Sequence, residues 1–209
     1  MSSIKLKHSG GNSVSLNPPT SAPTSSEVAF KLPNEDGSNG QYMKTDGSGN
    51  LSFAGAGIAM ADQYRLTSNL SLSANTFTTI TSNWERPDQS GWGSIGTGMS
   101  ESGGTFTFPQ TGIYKITYFP LFDTSNTVSN AWSYINCTIN NSSYITFALA
   151  CVSMQSGQMN STALETYFDV TDVSTHKVQF QHYANVACYV SGNSDANRTS
   201  ASFIRLGDT

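Results

Sequence analysis

The chain has 209 residues, of which 37% are hydrophobic and only 11% are charged, with a formal net charge of −4. This length fits one domain with an accessory segment, and the recurring apolar clusters argue against a disordered chain. No apolar run approaches the roughly 18 residues of a membrane span and only 10 residues are Lys or Arg, so we expect neither membrane insertion nor a nucleic-acid partner.

The first 59 residues are predicted to form an extended β segment. Two alternating segments, Ile4 to Leu6 and Val14 to Leu16, flank a Gly-Gly-Asn turn and predict a hairpin. Ala29 to Leu32 resembles a short strand that Pro33 stops.

A near-repeat follows, with Asp36 to Lys44 as its first copy and Asp46 to Ala54 as its second. Each copy is a turn rich in Gly, Asn and Asp, followed by a few strand-forming residues. Such units cannot bury a core alone. We therefore expect residues 1–59 to gain order by pairing with a partner or with sister chains.

Residues 60–209 predict an all-β domain, because short apolar segments alternate with turn clusters at a spacing of roughly 8–12 residues. The strand candidates include Gln63 to Leu72, Trp92 to Ile95 and Lys177 to Val190. No segment shows a capped apolar stripe of helical period. The predicted fold is a C-terminal sandwich or jelly roll preceded by an extended N-terminal β segment.

The most informative motif lies between Gly104 and Phe119. It resembles the Phe-x-x-Pro-x-x-Gly-x-Tyr-x-Phe signature of the tumour necrosis factor and complement globular-head jelly rolls, with Ile116 where that family commonly has Phe. The terminal segment Ser200 to Leu206 is similar to the closing strand of that family. The resemblance covers about residues 60–209 and implies a homotrimeric jelly-roll head.

The motif strand is predicted to be apolar on both faces. Tyr114, Ile116 and Tyr118 share one face, whereas Ile113 and Phe119 point to the other. A sandwich buries one face of each strand, so the second face predicts another partner. The resemblance implies that this partner is the next subunit of a homotrimer; a monomeric sandwich is the alternative. The residues predicted for the core or the trimer contact are Phe106, Phe108, Gly112, Tyr114, Ile116, Tyr118, Phe180, His182 and Phe203.

The N-terminal segment from Leu32 to Phe53 is similar to a repeat of bacteriophage tail-fibre and other virion proteins, where it precedes a variable C-terminal head. This resemblance implies a virion protein that is assembled in the host cytoplasm and attaches to other virion proteins through residues 1–59.

The three cysteines, Cys137, Cys151 and Cys188, lie far apart without a Cys-x-x-Cys spacing. They are predicted to be small buried residues of a chain made in a reducing compartment, with a single disulfide as the alternative. The N-terminus carries no apolar signal-peptide core, which fits the same compartment.

No catalytic, cofactor or metal site is predicted. His176 and His182 are expected to be hydrogen-bonded strand residues rather than metal ligands or imidazoles gathered at a threefold axis. Glu85 and Asp88 are interpreted as solvated turn carboxylates rather than a glycosidase pair. The loop at Asp46 begins like a calcium loop but lacks its closing Glu.

Surface recognition is predicted for loops that mix aromatic residues with Asn, Ser and Gly, a composition that suits contact with glycans or proteins and also packing on a neighbouring subunit. The candidate residues are Trp84, Trp92, Asp123, Trp132, Asn193 and Asp195.

The leading functional hypothesis is a non-enzymatic, homotrimeric virion protein, a short fibre or appendage whose head contacts a glycan or protein of the host surface. A capsid decoration protein anchored by its N-terminal arm is the first alternative. A carbohydrate-binding or carbohydrate-active protein is the second.

Overall fold

The computed structural model describes residues 4–25, 27–55 and 57–209, and every regular element in these ranges is a β-strand. The chain divides into two compact units, Met1–Ala56 and Gly57–Thr209. We call the first unit the arm and the second the head. Within the described ranges, no helix is long and apolar enough to cross a bilayer.

The arm consists of two antiparallel hairpins. Its strands are β1 (Ile4–Lys7), β2 (Ser13–Leu16), β3 (Gln41–Thr45) and β4 (Leu51–Gly55). The first hairpin is the predicted one, and the second forms because the two copies of the near-repeat pair with each other. The strand expected from Ala29 to Leu32 is absent, since only Lys31 makes an isolated bridge.

None of the described arm residues is buried. Register places Ile4, Leu6, Val14 and Leu16 on one face of the first hairpin, and each is at least 63% exposed. A two-stranded ribbon has no second layer against which such a face can pack. The arm therefore carries an apolar strip without a core.

The head contains the remaining strands. In chain order they are β5 (Met60–Leu66), β6 (Leu70–Leu72), β7 (Thr76–Thr79), β8 (Trp84–Glu85), β9 (Ser100–Ser102), β10 (Thr105–Thr107), β11 (Gly112–Phe119), β12 (Leu121–Asp123), β13 (Val128–Thr138), β14 (Ile145–Met154), β15 (Met159–Ser161), β16 (Leu164–Val170), β17 (Lys177–Ala184), β18 (Cys188–Val190) and β19 (Ser200–Gly207).

Two large antiparallel sheets pack face to face in the head. One has the order β14-β13-β17-β10-β9, with β7 also paired to β17, and the other has the order β16-β11-β19-β5-β8. A small sheet, β15-β12-β18-β6, continues the sandwich. Aromatic side chains bridge the large sheets: Tyr118 stacks on Phe180 at 4.3 Å between ring centroids, and Phe106 meets Phe203 at 5.2 Å.

The three strand candidates named above differ from the structure. The segments Gln63 to Leu72 and Lys177 to Val190 are each broken, because in both places the chain leaves a large sheet for the small one, where β6 and β18 pair. Trp92 to Ile95 is irregular apart from a bridge between Ile95 and Ala61. Its Gly-rich surroundings favour turns over a ladder.

Gly112 opens the motif strand under a steric constraint that only glycine meets. Its φ is 142°, and a Cβ atom there would lie 2.4 Å from the carbonyl oxygen of Gly207. The ladder between β11 and β19 also changes register next to it, between Ile113 and Tyr114. A side chain would push the closing strand away from the motif strand.

We expect Gly112→Ala to lower the free energy of unfolding by about 3 kcal/mol, since it adds a backbone clash inside a packed sheet. Gly157 is the matched control, because its φ of 78° is also positive but a Cβ atom at this position would meet no heavy atom within 4 Å. Gly157→Ala should lower stability by only about 1 kcal/mol. Urea denaturation of both variants measures the difference, and equal losses would contradict the clash.

Candidate recognition surface

The residues predicted for the core or the trimer contact all lie inside a single head. Each of Phe106, Phe108, Gly112, Tyr114, Ile116, Tyr118, Phe180, His182 and Phe203 is buried. Their burial within one chain leaves none of these side chains on the surface. A contact between subunits has to use other residues.

His182 belongs to a hydrogen-bonded trio in the centre of the sandwich. Its Nε2 lies 2.7 Å from the Tyr118 hydroxyl, and its Nδ1 lies 3.0 Å from the Ser133 hydroxyl. Burial lowers the pKa of His182 to about 3, because a charged imidazole would lose its hydration there. The side chain is inaccessible as a ligand for a metal or as a residue at a threefold axis.

His176 lies just before β17 and not on a strand, contrary to the expectation, but it does make hydrogen-bond contacts with the hydroxyls of Thr171 and Thr175. In the part of the chain that the structure describes, no three His, Cys, Asp or Glu side chains come together to hold a metal ion.

The acidic pair Glu85 and Asp88 binds one buried cation. The Asp88 side chain is nevertheless 81% exposed, as expected, whereas Glu85 is half-buried. The Arg65 guanidinium, whose side chain is fully buried, donates to Glu85 Oε1 and to Asp88 Oδ1, both at 2.7 Å. Both carboxylates therefore compensate the charge of Arg65. This engagement gives them a structural role at the edge of β5.

Trp84, predicted as a surface recognition residue, is half-buried and packs against the core. Its ring lies 5.4 Å from Phe106 and 5.7 Å from Phe180, measured between centroids. Burial of its apolar surface against the aromatic core explains why Trp84 is half-buried. The composition of the surrounding loop is typical of an exposed surface, so this packing could not be predicted from it.

The other predicted recognition residues do not form one site. Trp92 is half-buried in a turn, Asp123 is half-buried on β12, and Trp132 faces outward on β13. Only Asn193 and Asp195 are joined by a hydrogen bond within this set, among the residues that the structure describes.

The outward face of the six-stranded sheet carries an aromatic cluster that sequence reasoning missed. Tyr183 lies opposite Phe77 on β7 and opposite Trp132 on β13. The Phe77 ring, 59% exposed, lies 5.1 Å from Tyr183 and 5.7 Å from Tyr134 between centroids. The Tyr183 hydroxyl donates to Asn75 Oδ1 at 3.0 Å. We call Phe77, Tyr134 and Tyr183 the ring platform.

A line of side-chain hydrogen bonds crosses the same face. Thr146 Oγ1 donates to Asn136 Oδ1 at 2.9 Å, Asn136 Nδ2 donates to Gln181 Oε1 at 3.3 Å, and Gln181 Nε2 donates to Thr79 Oγ1 at 3.2 Å. This line, which we call the amide row, connects β14, β13, β17 and β7. Its groups are held in place by the sheet rather than by a loop.

This face is almost free of charge. Strands β7, β13 and β14 contain no Asp, Glu, Lys or Arg, and β17 contains only Lys177, whose Nζ donates to the carbonyl oxygen of Val173 at 2.7 Å. The sequence signal was the period of two in Trp132, Tyr134 and Asn136. This period shows that the three residues share a face, but it does not identify the neighbouring strands.

All three cysteines are free thiols. Cys137 and Cys188 are buried as expected, and burial raises the pKa of the Cys188 thiol to about 11. Cys151 is exposed, contrary to the prediction, because it lies on the outward face of β14 opposite Trp132.

Comparison with known proteins identifies the fold of the head. No family model and no curated protein sequence matches the chain. Among solved structures, Eiger TNF from S. frugiperda aligns with a TM-score of 0.57 and 12% identity, over 73% of this chain and 95% of that one. PRD1 vertex protein P5 aligns at 0.49 with 18% identity (73% and 100%), and murine APRIL at 0.49 with 14% identity (70% and 98%). The predicted jelly-roll fold of the tumour necrosis factor type is thereby confirmed, on the strength of the first alignment.

The buried trio predicts that the head loses stability in mild acid. The pKa of His182 is depressed in the folded state, so stability that is complete above the unfolded value of 6.5 is lost as the pH falls towards about 3. We expect His182→Gln to remove about 2 kcal/mol of the stability difference between pH 7 and pH 5.

Urea denaturation of the wild type and of His182→Gln at both pH values measures this contribution. Ser133→Ala is the control, because it keeps the imidazole and should keep the pH dependence. An unchanged difference in His182→Gln would contradict the assignment.

Proposed function

We propose that the chain is a non-enzymatic structural protein of a bacteriophage particle, a homotrimeric short fibre or appendage whose jelly-roll head contacts the host surface. The observation that carries the proposal is the contrast between a head with a complete core and an arm in which no described residue is buried. The resemblance of residues 32–53 to a repeat of phage virion proteins supports the same role.

The arm is suited to attachment because its apolar strip has no partner within its own hairpin. Burying a large aliphatic side chain contributes roughly 1.5–3 kcal/mol. Burial of the strip of Ile4, Leu6, Val14 and Leu16 against another virion protein would therefore contribute several kcal/mol to the free energy of binding. The opposite face carries Lys5 and Lys7, which stay solvated.

The outward face of the sheet that contains β11 supports self-association. Phe119, Tyr167 and Leu206 are exposed there by 42%, 58% and 53%. Between them, Lys115 Nζ pairs with Glu165 Oε2 at 2.7 Å. Exposed aromatic residues such as Phe119 and Tyr167 are enriched at interfaces between subunits. In a trimer, three weak contacts with a host act together, and avidity supplies the strength of attachment.

A non-enzymatic role fits the surroundings of the candidate catalytic groups. His182 is enclosed in the core, and Glu85 and Asp88 are held by Arg65. A general base has to reach a substrate proton within hydrogen-bond distance.

A capsid decoration protein is the second candidate, because the apolar strip of the arm suits a shell as well as an appendage. The two candidates differ only in the position of the protein on the particle. Immunogold labelling of intact particles separates them: signal on a tail or spike favours the appendage, and signal over the shell favours decoration.

We expect Leu6→Ser with Val14→Ser to reduce incorporation into particles at least about tenfold, because two buried side chains are lost. Lys5→Ser with Lys7→Ser on the other face is the control and should leave incorporation unchanged. Quantitative immunoblotting of purified particles measures both. Equal incorporation of the two double variants would contradict attachment through the apolar strip.

The full chain is expected to sediment at three times the 22.4 kDa mass of one chain. Phe119→Lys with Tyr167→Lys should shift it to one chain mass, because charges would be buried in the contact. Ile139→Lys, at another exposed apolar residue, is the control and should leave the trimer intact. A wild-type monomer at micromolar concentration would contradict the trimer.

A further inference from the structure

We propose that the ring platform and the amide row together form a binding site for a neutral oligosaccharide. The inference rests on the proposed contact with the host surface and assigns it a place and a ligand class. The place is the outward face of β14, β13, β17 and β7 rather than the loops. The ligand is a short chain of uncharged pyranose rings.

The ring platform matches the apolar side of a sugar. A pyranose presents C–H groups on its faces and hydroxyl groups around its edge. An aromatic face carries negative charge density that attracts polarised C–H groups and buries their surface. The Phe77 ring lies 5.1 Å from Tyr183 and 5.7 Å from Tyr134, so that the cluster extends across three strands and adjacent sugar rings can contact adjacent side chains.

The amide row matches the hydroxyl groups. A Gln side chain has two N–H donors and two acceptor lone pairs. Gln181 uses one donor on Thr79 and one lone pair on Asn136, which leaves one of each. Because these bonds already fix the amide, little side-chain freedom is lost when a hydroxyl binds.

The charge of the face selects against anionic ligands. Nucleic acids and sulfated glycans are bound by clusters of Lys and Arg. The strands of this face carry only Lys177, which is 8% exposed and bonded to a backbone carbonyl. An uncharged ligand brings no charge that would need a counter-charge on the protein. The one charged side chain of these strands, Lys177, already has its partner within the protein.

The combined size of the ring platform and the amide row suits an oligosaccharide better than a second protein chain. Neighbouring strands lie about 4.8 Å apart, so four strands span about 14 Å, and two rows of side chains add about 7 Å in the other direction. The resulting area of roughly 100 Å² suits two or three sugar rings. A stable protein interface needs roughly 800 Å² from each partner. An apolar partner would also leave the remaining N–H donor and lone pair of Gln181 without a partner, at a penalty of about 1–3 kcal/mol each.

The test measures binding of the full-length protein to four neutral trisaccharides, namely maltotriose, cellotriose, mannotriose and chitotriose, by saturation-transfer NMR and calorimetry. We expect at least one to bind and to be weakened about tenfold or more by Phe77→Ala and by Tyr183→Ala. Phe77→Trp, which keeps an aromatic ring, should retain binding. Tyr189→Ala, at an exposed tyrosine of the small sheet, is the control and should bind like the wild type. Thermal unfolding of each variant confirms that it is folded.

Adsorption of the labelled protein to host cells, measured in parallel, separates this inference from the proposed function. Trisaccharide binding that survives both alanine variants overturns the site. Adsorption to cells without binding of any neutral trisaccharide overturns the ligand class and leaves the proposed host contact standing. If the protein neither binds a trisaccharide nor adsorbs to host cells, both the proposed site and the proposed host contact are overturned. Preferential binding of trigalacturonic acid that salt abolishes also contradicts a neutral ligand.

Discussion

The structure of the head depends on the aromatic contact between its two large sheets. Tyr118 from one sheet stacks on Phe180 from the other, and neighbouring aromatic rings extend this contact through the sandwich. The polar atoms brought inside by Tyr118 are satisfied by His182 and, through it, by Ser133. An unpaired hydroxyl at this depth would oppose the packing that the rings provide.

The same constraint explains why the arm differs from the head. A strand is stabilised when one of its faces is covered by a second layer, and the head supplies that layer for the strands of its two large sheets. The hairpins of the arm have backbone pairing but no second layer.

Sequence alone predicted much of the fold, because it depends on local patterns. Alternation and turn residues gave the all-β class and the first hairpin, and the motif around Gly112 located a strand that begins with a close backbone contact. The breaks after Leu66 and after Ala184 were missed, because a change of sheet depends on pairing with distant residues. The pairing of the two near-repeat copies is local but was also missed, because these units were expected to pair with a partner or with sister chains.

The candidate site was harder to predict, because it depends on which residues lie opposite each other on paired strands. Phe77 and Tyr183 are far apart in the sequence, and only the pairing of β7 with β17 brings their rings together. Trp84 shows the opposite error, since a loop composition typical of a surface concealed a side chain that packs against the core. Composition indicates which residues are available for contact, but the ladder decides which of them meet.

The alternation along β17 has an evolutionary consequence. Phe180 and His182 point into the sandwich, whereas Gln181 and Tyr183 point away from it. Successive residues of one strand are thus exposed to separate selective pressures, one for folding and one for the surroundings of the head. A lineage can diversify its outer side chains by point mutation while it inherits an unchanged interior.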